Sequence, residues 1–173
     1  MAHRTFEFQM PASESVVFDA FHYPHWRSQW DSLVSHSQVT DGAPCPYVGA
    51  TTKNTGAGIL SVLSMQTQFV SFDRPRVAAA AMLGQSFPFK RWAASMRHRE
   101  AGSDQSVLIY TYTFDVFPVP LRWAIEPIVV GIFNAQTNRR FSRLRKFLTK
   151  HAKEVTQWQH QNAVNPDMTR TPQ

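Results

Sequence analysis

His98 is the residue whose place in the sequence most invites a chemical reading. In Lys90–Glu100, Trp92, Ala94, Met96 and His98 alternate with Arg91, Ser95, Arg97 and Arg99. An imidazole therefore falls on the apolar side of an otherwise arginine-studded strand. Such a group can orient a ligand carbonyl or move a proton near neutral pH, or it can bond a neighbouring hydroxyl within a core. Tyr110 and Tyr112, on the apolar side of Gln105–Phe117, can likewise donate to a ligand or to protein groups. These three are the candidate catalytic residues. His22-Tyr23-Pro24-His25 is the nearest approach to a metal pair, but no Cys or third His stands close by. Surface histidines are the plainer reading, so neither a metal nor a cofactor is expected. The carboxylates Asp19, Asp31, Asp73, Asp115 and Glu126 are isolated. No GxSxG, P-loop or GxGxxG run occurs, which leaves hydrolase, nucleotide and dinucleotide chemistry without a motif.

Charge is the second chemical feature. Basic residues outnumber acidic ones 18 to 12, for a net charge of +6. Seven of the bases (Arg139, Arg140, Arg143, Arg145, Lys146, Lys150 and Lys153) fall within 139–153 without one acid, and the rest of the chain is balanced to within one charge. Phe141, Leu144 and Leu148 interleave them at helical spacing, so the bases are expected on a solvated helix face. The functional alternative is an anionic membrane surface met by Arg139, Arg140, Arg143 and Lys146. Nucleic acid fits less well, since no recognition motif accompanies the charge. The lone Cys45, in Pro44-Cys45-Pro46, cannot close an internal disulfide and suits a reducing, cytoplasmic setting. It reads as an inert loop thiol. The start shows no apolar signal segment. Val116–Ala135, the most span-like stretch, is interrupted by Arg122, Glu126 and three prolines.

These residues need elements to hold them. A chain of 173 residues with 43% hydrophobic and 17% charged content has the size and composition of one folded domain. Residues 3–9 alternate around Phe6 and Phe8 as a first strand, and Pro11 ends it. Ser13 offers an N-cap to a short helix through Val16, Val17, Ala20 and Phe21. A second short helix follows Pro24, through Trp26 and Trp30. Six strands are then expected: Val34–Thr40, Gly49–Thr55, Leu60–Phe72, Val77–Leu83, Lys90–Glu100 and Gln105–Phe117. Their short turns make an antiparallel meander. Gly56-Ala57-Gly58 and Ala101-Gly102-Ser103-Asp104 are two of those turns. After Pro118 the period lengthens to that of a helix, from Leu121, Ile125, Ile128, Ile132 and Phe133 on to Trp158, with Pro127 as a kink or a fresh start. Residues 1–160 are expected to form the domain and 161–173 a frayed tail. One helix covers seven strands only if the sheet curls around it.

This order resembles the superfamily of START domains, birch-pollen-allergen-like proteins and polyketide cyclases, over about His3 to Trp158. Met10-Pro11-Ala12-Ser13-Glu14-Ser15-Val16-Val17-Phe18-Asp19-Ala20-Phe21 is similar to the family's strand-proline-helix opening. His25-Trp26-Arg27-Ser28-Gln29-Trp30-Asp31 resembles its short second helix. Pro120-Leu121-Arg122, Glu126-Pro127-Ile128 and Arg143-Leu144-Arg145-Lys146-Phe147-Leu148 resemble the closing helix of the polyketide cyclase/dehydrase-like branch. The resemblance implies an α+β helix-grip fold: a curved antiparallel seven-stranded sheet around a long C-terminal helix, with two short helices after the first strand. It also implies a cavity for a hydrophobic small molecule. By alternation, the strand side of that cavity would come from Met65 and Phe69, from Trp92, Met96 and His98, and from Tyr110, Tyr112 and Phe114. The helix would add Ile128, Ile132 and Phe133. Binding, transport or sequestration of a hydrophobic or amphipathic molecule is the first functional expectation. A cyclase acting on a polyketide-like substrate and a membrane-associating lipid-binding module are the alternatives.

Overall fold

The computed structural model of the chain describes residues 1–31, 34–56 and 64–164. In order the elements are β1 (Ala2–Met10), α1 (Glu14–His22), α2 (Pro24–Arg27), β2 (Val34–Val39), β3 (Thr51–Gly56), β4 (Ser64–Asp73), β5 (Val77–Met82), β6 (Phe89–Glu100), β7 (Ser106–Val116) and α3 (Arg122–Val164). The expected turn residues 57 and 58, the first four residues of the long strand beginning at Leu60, and the tail beyond Val164 lie outside the described residues.

All seven strands form one antiparallel sheet in the order β1-β7-β6-β5-β4-β3-β2. From β2 to β7 it is a meander of sequential neighbours. β1 then closes onto β7, so α1 and α2 carry the chain from one sheet edge to the other. Register shifts interrupt the pairing between Val34 and His36, Phe69 and Ser71, and Phe89 and Arg91. Each such irregularity bends and twists its strand, which helps the sheet curl around a helix. The β6–β7 hairpin turns through Gly102 at φ 118° and Asp104 at φ 59°. That is the left-handed backbone the sequence Ala101-Gly102-Ser103-Asp104 calls for.

α3 is a single 43-residue helix, about 65 Å long. Pro127 lies inside it rather than starting a new one. Being the sixth residue, Pro127 removes only the bond to the carbonyl of Trp123, beside groups that a helix start leaves open anyway. Ser13 sits at the N-cap of α1, but its hydroxyl meets that of Ser15 at 3.3 Å and caps no backbone N–H.

The core lies between the concave sheet face, α1 and α3. Phe18, Leu108, Tyr112, Phe114, Phe141, Leu144, Leu148 and Val155 are its most deeply buried large side chains. The helical spacing of Phe141, Leu144, Leu148 and Val155 lays one apolar stripe of α3 against the sheet and α1. Among the described residues no helix is long and apolar enough to cross a membrane.

Candidate functional site

The core does not fill the grip completely. A cavity of about 410 Å³ remains between the middle of the sheet and α3, within the roughly 300–1,000 Å³ common for small-molecule sites. Small side chains make it. Ala78 and Ala80 of β5 and Ala94 of β6 line it, with Ala80 paired to Ala94 and Ala78 to Met96 across the two strands. Where neighbouring strands bring alanines together under a helix, no side chain reaches far enough to fill the gap. Thr52 and Thr67, whose hydroxyls meet at 2.8 Å, extend the same small-residue floor. On the other side α3 presents Val129, Ile132, Phe133, Gln136, Thr137, Arg140 and Phe141. That spacing is one continuous helical stripe.

The sequence-derived wall divides into two groups. Met65, Phe69, Trp92, Met96, Tyr110, Ile132 and Phe133 all line the cavity. His98, Tyr112, Phe114 and Ile128 do not. Ile128 is 64% exposed, one residue and about 100° out of step with the stripe that begins at Val129. Tyr112 and Phe114 are buried, their rings stacked 5.3 Å apart and both against Phe133. Tyr112 donates to Asn134 Oδ1 at 2.5 Å, so its hydroxyl ties β7 to α3. His98 lies past Met96, where α1 covers the sheet, with the Phe18 ring 5.5 Å away. Both of its nitrogens are buried without a partner among the described residues.

Three charge assignments change with the structure. Asp19 and Asp31, isolated in sequence, are buried and paired. Asp19 takes Arg74 from the β4–β5 turn and Gln159 from α3 on one oxygen, Oδ2. Burial pushes its carboxyl above the usual range, against the pull of Gln159 and Arg74. Asp31 Oδ2 takes Arg27 Nε at 2.9 Å and Arg140 at 3.0 and 2.5 Å. Although burial alone would raise it, Arg140 and Arg27 together hold the Asp31 carboxyl below its ordinary value. Arg140 therefore leaves the solvated face to which its neighbours in the basic run belong. Its side chain is 18% exposed, pairs inward and lines the cavity, whereas Arg139, Arg143 and Lys146 stay exposed.

His22 is not a surface residue either: it is buried on the cavity wall, its Nδ1 bonded to the Phe18 carbonyl at 2.9 Å. That bond leaves Nε2 as the acceptor of a neutral ring. Burial lowers the His22 pKa to about 3, and burial raises that of Tyr110 to about 12. His25, its supposed partner, is exposed and packs on Trp26 and Trp158, and the described residues hold no group of three potential metal ligands. The Cys45 thiol is pushed up to about 12 by burial, which keeps it protonated.

His22, Arg27, Gln136, Thr137, Arg140, Phe21 and Phe141 thus line a wall for which the sequence had nominated other residues. The signal for four of them was available: Gln136, Thr137, Arg140 and Phe141 continue the helical stripe from Ile132 and Phe133. Phe21, His22 and Arg27 come from α1 and α2, whose packing over the sheet no periodicity fixes.

A curved sheet gripping one long helix around a largely apolar cavity defines the helix-grip class. The chain belongs to the family described as polyketide cyclase/dehydrase and lipid transport, which it matches over residues 1–149. Among solved structures it is similar to XoxI of Bacillus cereus, at 15% identity and a TM-score of 0.68 over 87% of this chain and 97% of that one. It is also similar to norcoclaurine synthase of Thalictrum flavum, at 15% identity and 0.62 over 87% of each chain. A third is the Zhui aromatase/cyclase of a Streptomyces species, at 10% identity and 0.68 over 87% and 94%. At such identities the likeness carries the fold alone. No curated protein matches the sequence.

Proposed function

We propose that this protein binds a hydrophobic or amphipathic small molecule in the cavity between sheet and α3, to carry or sequester it. The observation that supports this most is the cavity itself, floored by Ala78, Ala80 and Ala94 and walled by Met65, Phe69, Trp92 and Phe133. Such a wall gains free energy from any apolar surface it removes from water, about 25 cal/mol per Å². Met65 and Met96 add adaptable contacts.

Cyclase-type catalysis, the activity named for one of the similar structures, is the second reading. Tyr110 and His22 line the cavity and would be its proton-transfer groups. Their environment favours binding over catalysis. An acid or base works best with a pKa near the operating pH, and burial moves His22 to about 3 and Tyr110 to about 12.

Fluorescence of anilinonaphthalene sulfonate tests the proposal. The folded wild-type protein should enhance the probe's emission saturably. Ala94→Phe, which fills the floor, should abolish that enhancement while leaving the circular dichroism unchanged. Equal enhancement by wild type and a folded Ala94→Phe would refute the cavity as the site.

A further inference from the structure

The cavity has two unlike ends. Val129, Ile132 and Phe133 of α3 face Pro88, Phe89 and Trp92 at one of them. About 11 Å along the helix, centre to centre, Thr137 and Arg140 meet Arg27 and Tyr110 at the other. At this second end two guanidinium groups share one carboxylate, Asp31, through the same oxygen. Both guanidinium carbons lie over the Phe21 ring, 4.9 Å from its centroid.

Three donors at this end have capacity to spare. Arg140 directs Nε and one terminal nitrogen to Asp31, and its other terminal nitrogen has no partner among the described residues. The Tyr110 hydroxyl makes no hydrogen bond among them, although the residue is only 6% exposed. Thr137 is likewise buried. Thr149 and Thr156 of the same helix bond back to the carbonyls four residues earlier, at 2.9 and 3.0 Å, but the Thr137 hydroxyl makes no such bond. Buried hydroxyls and guanidinium nitrogens rarely go without acceptors. Three of them, one on a charged guanidinium, describe the complement of an oxyanion.

We propose that the ligand is an anionic amphiphile: a single oxyanion head group, carboxylate being the simplest, received by Arg140, Tyr110 and Thr137, with an apolar body running toward Trp92 and Phe133. This rests on the cavity being a ligand site and adds the head-group chemistry and the orientation. Asp31 and Arg27 act as positioning residues that fix the Arg140 guanidinium.

Calorimetric titration of the full chain with decanoate, decanol and decyltrimethylammonium tests it. Decanoate should bind at least about tenfold more tightly than decanol, the scale of one charge-assisted hydrogen-bond pair, and the ammonium more weakly than either. Arg140→Gln should remove most of the preference for the acid, weakening decanoate far more than decanol. Tyr110→Phe, which deletes only a hydroxyl, should weaken decanoate a few-fold and decanol less; it carries the test if Arg140→Gln does not fold. Equal affinity of the wild type for acid and alcohol would overturn the head-group assignment while leaving the cavity as a site. Binding of none of the three would overturn both.

Discussion

His98 and Arg140 show how far single residues can depart from what their neighbours in sequence suggest. The alternation of β6 puts His98 on the inward face, and inward it is, at 8% exposure. Its two nitrogens, unpartnered among the described residues, make it a polar residue held in an apolar place. Burial lowers its pKa to about 4, as burial lowers that of His22 to about 3. The unfolded chain therefore takes up these protons first, near pH 6.5, and the folded state is penalised as pH falls below that value. Each histidine should weaken stability by about 1.4 kcal/mol per pH unit until its folded pKa is reached. His98→Phe should raise stability by about 1 kcal/mol at pH 7, because the unpaired nitrogens go and the ring packing against Phe18 stays. It should also flatten the loss between pH 6.5 and 5. Urea unfolding at both ends of that window checks this, and a destabilised variant with an unchanged slope would contradict it. Arg140 was illegible for another reason. Its partner Asp31 lies 109 residues away, and a basic run gives no sign of which member turns inward.

At the scale of elements the sequence was far more legible. Period-two alternation located β4, β6 and β7, helical spacing located α3, and the described strands keep their expected order. The cavity was less so, because emptiness depends on register. The run Val77-Ala78-Ala79-Ala80-Ala81-Met82 reads simply as a strand until Ala80 is paired with Ala94 beneath α3. Ala80→Leu should fill part of this space, stabilise the fold by about 0.5–2 kcal/mol and weaken probe binding at least tenfold. Thermal unfolding and probe titration read the two effects, and a gain in stability with unaltered probe binding would place the ligand elsewhere. The Tyr112–Asn134 bond joins sheet to helix away from the cavity wall. Tyr112→Phe should cost about 1 kcal/mol of stability without changing probe affinity. A selective loss of probe binding would instead return Tyr112 to the site.

For the whole molecule, the excess of bases divides into two unlike parts. Arg139, Arg143, Arg145, Lys146, Lys150 and Lys153 are exposed along α3. Arg140 is withdrawn, pairs with Asp31 and, with Arg27, lines one end of the cavity. A fold whose sheet, helix and small-residue floor together leave about 410 Å³ unfilled has room for a ligand, and occupancy is measurable without knowing the occupant. The most direct measurement is native mass spectrometry of the protein as purified, before and after organic extraction, beside Ala80→Leu. Wild type should carry a small-molecule adduct that extraction removes and that Ala80→Leu retains weakly or not at all. An adduct held equally by both proteins, or a wild type that arrives bare and takes up no decanoate or decanol when offered, would contradict the account.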